Sequence, residues 1–239
     1  MKVGVICEGP TDFIVMKSFF TKDLSEHFQE IEFFLIQPAL DNTLPGGWSQ
    51  VLYWLENNPP ENRTALYRRG QSLFLNEEDD KKFDALLFQM DTDIIGENGF
   101  EKFCSDRGLA PQNPCAPKER ANFIRGVLIS LAAYETIDDA ISSGETPIAI
   151  VEACETWIVA AGTEGGGDAE KLLPADTCNR FGRILAKTIG ERPQKKYAKI
   201  NKSPKTREKL CKELCTSCTP KNKSYHYDLS LSHIKQALS

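Results

Sequence analysis

The chain has 239 residues, 41% of them hydrophobic and 26% charged, with a formal net charge of −5. That length suits one large domain, or one domain with a smaller appendage, and the composition excludes a disordered or fibrous protein. No run approaches about 18 uninterrupted apolar residues, so no transmembrane helix is expected. MKVGVICEG reads as a first strand instead of a signal peptide, and the expected compartment is the cytoplasm.

The first apolar run, V-G-V-I-C, closes on Glu8, and Gly9-Pro10-Thr11-Asp12 then supplies a turn and a helix start. The residues FIVMKSFFTKDL that follow carry apolar side chains at helical spacing. Glu32 to Gln37 (EFFLIQ) reads as a second strand, Asp41 to Trp48 as a loop containing Leu-Pro-Gly-Gly, and Ser49 to Asn57 as a helix with Val51, Leu52 and Leu55 inward. Residues 58–82 have no clean period and contain PPEN, RRG and an acidic run, which marks an insertion with partial helix. Phe83 to Met90 is almost wholly apolar, as a strand covered on both faces should be, and it runs into Asp91 and Asp93.

An amphipathic helix is expected over Phe123 to Tyr134. A fourth strand, Pro147 to Val151, leads into Glu152 and Glu155, and GTEGGG (162–167) reads as a flexible loop. Trp157 is expected in the core, and His27, His226 and His233 at the surface. The alternation of strands and helices predicts an α/β fold with a mostly parallel sheet flanked by helices over 1–165. A basic, mainly helical region follows over 166–239.

Charge is unevenly spread. From Arg180 to Lys223 there are fourteen Lys or Arg against three Glu, while the rest of the chain is acidic. Such a segment is either a polyanion-binding surface or a solvated helix pair. The eight cysteines, some inside expected core elements, fit free thiols. Only Cys211, Cys215 and Cys218 cluster; with His226 they make an irregular candidate zinc set, against the simpler reading of thiols on a helix and the turn after it.

Two strand ends therefore carry carboxylates. In an open α/β sheet the carboxyl edge is where ligands bind, so Glu8, Asp91 and Asp93 can converge from distant parts of the chain. Positions i and i+2 of a strand share a face, which would let Asp91 and Asp93 reach one cation. Clustered carboxylates repel unless a cation holds them, and hard oxygen donors suit Mg²⁺ or Mn²⁺. Asp12 is either a further ligand or a helix cap. Glu152 and Glu155, three apart, either share a helical face toward the metal or sit solvated at a helix start.

The Glu after the first strand and the Asp-x-Asp after a later one resemble the Toprim domain, over roughly the first 155 residues. EGPTD, MDTD and IVEACETWIVAAG look most like the small Toprim-like proteins of the OLD and RloB type found in bacterial antiviral defence systems. The resemblance implies a Mg²⁺- or Mn²⁺-dependent nuclease acting on DNA or RNA, with Glu8, Asp91 and Asp93 at its centre. Asp12, Glu152 and Glu155 are then further metal ligands, and Glu8 serves as ligand or as general base. The span from Glu8 to Asp91 is longer than in a minimal Toprim domain. Lys195, Lys196 and Lys199 are candidates to offset charge on the phosphorus, or simply to hold the phosphate backbone. Two other readings stand beside this one: a non-catalytic docking subunit of an ATPase-containing defence complex, and a HAD-type phosphatase, which fits less well because its aspartate pair stands near the N-terminus. Self-association is left open.

Overall fold

The structure is a computed structural model that describes residues 1–38, 46–68, 82–110, 112–163, 168–191 and 203–239. Four parallel strands form one sheet: β1 (Lys2–Ile6), β2 (Glu32–Gln37), β3 (Ala85–Asp91) and β4 (Glu145–Ile150), in the order β2-β1-β3-β4. Ten α-helices flank it among the described residues: α1 (Pro10–Leu24), α2 (Trp48–Asn57), α3 (Pro60–Leu66), α4 (Asn98–Asp106), α5 (Pro117–Leu131), α6 (Ile137–Ser142), α7 (Glu155–Gly162), α8 (Pro174–Ile189), α9 (Pro204–Leu214) and α10 (Tyr225–Ala237). The α/β fold with a parallel sheet expected from the alternation is the fold observed.

β1, β3 and β4 are buried on both faces, whereas the edge strand β2 leaves Glu32 and Phe34 exposed. Val3, Val5, Leu87, Ile148 and Ile150 pack toward α1 and α7 to α10, whereas Ile6, Leu86, Phe88, Met90 and Ala149 pack toward α2, α4 and α5. Gly4 fits where β1 is squeezed between its neighbours: a Cβ there would lie 2.5 Å from Ile36 Cδ1 and 2.8 Å from Leu86 Cδ2, so those side chains would have to shift.

The basic C-terminal helices belong to the same core as the sheet. Tyr227 of α10 stacks on Phe20 of α1 at 5.2 Å between ring centres and meets Trp157 edge-on at 5.0 Å. The described part of the segment expected as an insertion is likewise tied in. Arg63 of α3 is fully buried, pairs with Glu145 at 2.8 Å, and donates to the Ala132 carbonyl at 2.8 Å.

Boundaries shift where capping outweighs hydrophobic pattern. α5 starts at Pro117, six residues before the expected start, because proline is well placed at the first helical position. β4 begins at Glu145, whose carboxylate the buried Arg63 neutralises. No helix among the described residues is long and apolar enough to cross a membrane.

Candidate acidic site at the strand ends

The chain leaves β1 through α1 to β2 on one side, and then returns to β3 on the other side of β1. The carboxyl ends of β1 and β3 therefore flank a topological switch point, where open α/β sheets leave a crevice. Glu8 and Asp91 stand at these two ends. The Asp91 backbone N–H donates to Glu8 Oε1 at 2.7 Å, so two residues 83 positions apart meet directly.

Gln89 ties the pair from below. It is fully buried, its Nε2 donates to Asp91 Oδ1 at 2.8 Å, and its Oε1 accepts from the Glu8 backbone N–H at 3.5 Å. A polar side chain in an otherwise apolar strand is itself a signal, since buried amides are kept where they have partners; the sequence reading passed over it. The glycine loop before α2 leans on the same strand end. Gly47 N–H donates to the Glu8 carbonyl at 2.7 Å with φ of +103°, and a Cβ on Gly46 would come within 2.6 Å of that oxygen.

The charge is one-sided. Burial pushes the Asp91 carboxyl well above the usual carboxylate range, and Asp12, Glu8, Asp93 and Glu155 push it further in the same direction. The thiols of Cys7 and Cys154 are raised too, by burial first and then by carboxylates: Asp12 and Glu8 act on Cys7, and Glu155, Asp12 and Asp91 on Cys154. Asp12, Glu8, Asp93 and Glu155 thus all lie near enough to Asp91 to act on its charge.

Three expectations change in detail. β3 ends at Asp91, and Asp93 lies in the turn that follows, exposed where Asp91 is buried; the two aspartates do not share a strand face. Glu152 and Glu155 do not share a helical face either, because α7 begins at Glu155 and Glu152 sits before it with φ of +59°. The Glu152 carboxylate is taken by Arg120, which also donates to the Thr92 carbonyl at 2.7 Å. Glu155 is among the acids that act most strongly on Asp91. Asp12 is not the N-cap: that position is Gly9, and Asp12 falls in the buried first turn of α1, where the helix dipole favours a negative charge.

Lys195, Lys196 and Lys199 lie outside the described residues. A cation that the sequence reading did not single out does reach the cluster. Arg207 of α9 is fully buried, pairs with Glu155, and lies over the Phe181 ring at 4.3 Å. Its signal was present in the spacing: Arg207 shares a helical stripe with Leu210, Cys211 and Leu214, at i, i+3, i+4 and i+7.

Two of the zinc candidates, His226 and Cys215, are engaged elsewhere. His226, expected at the surface, is buried with Nδ1 2.5 Å from Glu170 Oε2, and Cys215 Sγ donates to the Ser18 carbonyl at 3.5 Å. Burial raises the Cys211 thiol to about 12 and the Cys215 thiol to about 11, so both are protonated at neutral pH.

The acidic donors suit a hard divalent cation in kind: they are carboxylate oxygens whose repulsion a cation would relieve. Among the described residues, no three His, Cys, Asp or Glu side chains converge on one point as they stand, so the carboxylates surround the region instead of enclosing an ion. No protein-family model, curated protein or solved structure matches this chain.

Proposed function

We propose that the protein is a divalent-metal-dependent nuclease that hydrolyses phosphodiester bonds in DNA or RNA, acting in antiviral defence. The observation that carries this reading is the meeting of Glu8 and Asp91 at the switch point, with Asp12, Asp93 and Glu155 around them. A buried Asp91 beside three or four other acids is costly in a protein with no use for it, since like charges brought together out of water destabilise the fold. Its resemblance in motif to Toprim-type nucleases and its basic C-terminal run support the same reading.

Glu8, Asp91 and Asp93 would hold Mg²⁺ or Mn²⁺, with Asp12 and Glu155 completing the charge around it. Bound there, the cation would lower the proton affinity of water and neutralise charge on the phosphate. The chain's own contribution is positional. The Asp91 N–H and the Gly46-Gly47 loop fix Glu8 from its two ends, Gln89 orients the Asp91 carboxylate, and Asp93 stands at the solvent margin, where substrate would arrive. Glu8 is half-buried, and its Oε1 is fixed by the Asp91 N–H at the strand end where a metal would sit.

The direct test is cleavage of end-labelled single- and double-stranded DNA and RNA with Mn²⁺ or Mg²⁺, by wild type and by Asp91→Ala. Metal-dependent products from the wild type alone support the nuclease. Stable association with a partner ATPase and no turnover with any metal would favour the docking reading, and release of inorganic phosphate from a small ester would favour a phosphatase.

A further inference from the structure

Arg207 comes from the middle of the most basic stretch of the chain, yet it is fully buried. One guanidinium nitrogen, Nη2, is bonded to Glu155 Oε1, and Cys154 Sγ contacts Glu155 Oε2 at 3.7 Å, so both oxygens of that carboxylate are held. The guanidinium carbon lies 4.3 Å from the ring centre of Phe181 on α8. The remaining donors, Nε and Nη1, have no hydrogen-bond partner among the described residues.

Each unpartnered N–H out of water costs stability, so a buried arginine with two such donors calls for a reason beyond fastening two helices. Arg207 leaves two donors unspent and stands beside a group of carboxylates. Its partner is Glu155, one of the acids around the site, and α9 brings the guanidinium to that carboxylate out of water. Its placement answers to the charge of the site.

We propose that Arg207 is a positioning residue of the acidic site: carried by α9 and seated on Phe181, it fixes the Glu155 carboxylate at the edge of the cluster that receives the metal and supplies a built-in countercharge. The inference rests on the metal reading above. It gives the C-terminal region a part in the site independent of Lys196 and Lys199, since α9 reaches the carboxylates through a residue that substrate does not touch.

The test is calorimetric titration with MnCl₂ of the full chain as wild type, Arg207→Met, Glu155→Gln, the double variant and Phe181→Leu. Arg207→Met is expected to weaken Mn²⁺ binding roughly tenfold or more, as loss of a supporting partner does at other metal sites. Adding Arg207→Met to Glu155→Gln is expected to cause no further loss, because the arginine acts through that glutamate. A folded Arg207→Met protein that binds Mn²⁺ as wild type does, or the same loss repeated in full on the Glu155→Gln background, overturns the proposal and leaves the metal reading intact. Wild type that binds no Mn²⁺ overturns both. Should Arg207→Met not fold, Phe181→Leu keeps every charge and carries the test: weakened binding supports the positioning role, and unchanged binding overturns it.

Discussion

The Asp91 carboxyl is the residue on which stability and function pull in opposite directions. Burial and four neighbouring acids raise its proton affinity, so the folded chain binds that proton more tightly than the unfolded chain does. Its contribution to stability is fully present below the ordinary carboxylate range, and is lost as pH rises through the raised value. Metal-free protein is therefore expected to lose stability across that window, and Asp91→Asn to remove that part of the pH dependence, with a gain of about 0.5 to 2 kcal/mol at neutral pH. Urea titrations at several pH values check both. A less stable Asp91→Asn protein would show that the carboxylate is held by partners instead of repelled by neighbours. The Glu8 carbonyl offers a second test. Gly46→Ala places a methyl 2.6 Å from that oxygen, and is expected to weaken metal binding more than stability, because the loop and Glu8 can move apart while the core stays packed. At this scale Glu8 and Asp91 were legible in the sequence because each closes an apolar run. Gln89 and Arg207 were not, because one polar residue in a strand and one cation in a basic run read as background until their burial is known.

Among the elements, β3 and the turn after it separate the roles of two aspartates that a strand pattern treats as equivalent. The chain stops being extended at Asp91, since Thr92 turns its backbone N–H to Ile150 and accepts from the Glu152 backbone N–H through its hydroxyl at 2.8 Å. That exchange joins the ends of β3 and β4 and turns Asp93 outward. The same junction holds Glu152 at positive φ and pairs it with Arg120, so substitution at 152 is expected to affect metal affinity far less than substitution at 155. Calorimetry on Glu152→Gln and Glu155→Gln decides this; equal losses would return Glu152 to the site. Helix α3 shows where sequence pattern runs out. PENRTAL carries too few apolar residues to announce burial, and what anchors it is Arg63, with its ion pair to Glu145 and its bonds to the Asn58 and Ala132 carbonyls. Removing one partner strands a buried charge, so Arg63→Ala is expected to cost about 3 to 5 kcal/mol in denaturant unfolding, with little change in the metal affinity of the folded protein. A cost under about 1 kcal/mol would mean the pair is replaced by water.

The whole molecule is one α/β sheet whose C-terminal helices complete one of its two faces. Tyr227, Leu231 and Ile234 of α10 are packed in the same core as Phe20 and Trp157, and Tyr227 Oη donates to the buried Asp23 at 2.7 Å. A chain ended at residue 165 is expected to lose cooperative thermal unfolding; a sharp transition in circular dichroism from that truncated protein would contradict this. The basic run was legible as charge but not as structure: Arg207 turns inward to the acids, whereas Arg180 and Arg183 stay exposed beside the end of α7. Sheet and helix order could be read because apolar runs and turns alternate. The assembly of the site could not, because it depends on which strand ends become neighbours.

Calorimetric titration of the full chain with MnCl₂, alongside Glu8→Ala and Asp91→Ala, tests the acidic site most directly. We expect binding by the wild type and its loss in both variants, since Glu8 and Asp91 meet at the switch point of the sheet. Absent binding, or binding that survives both substitutions, would contradict the metal-dependent reading and leave the partner-docking role in its place.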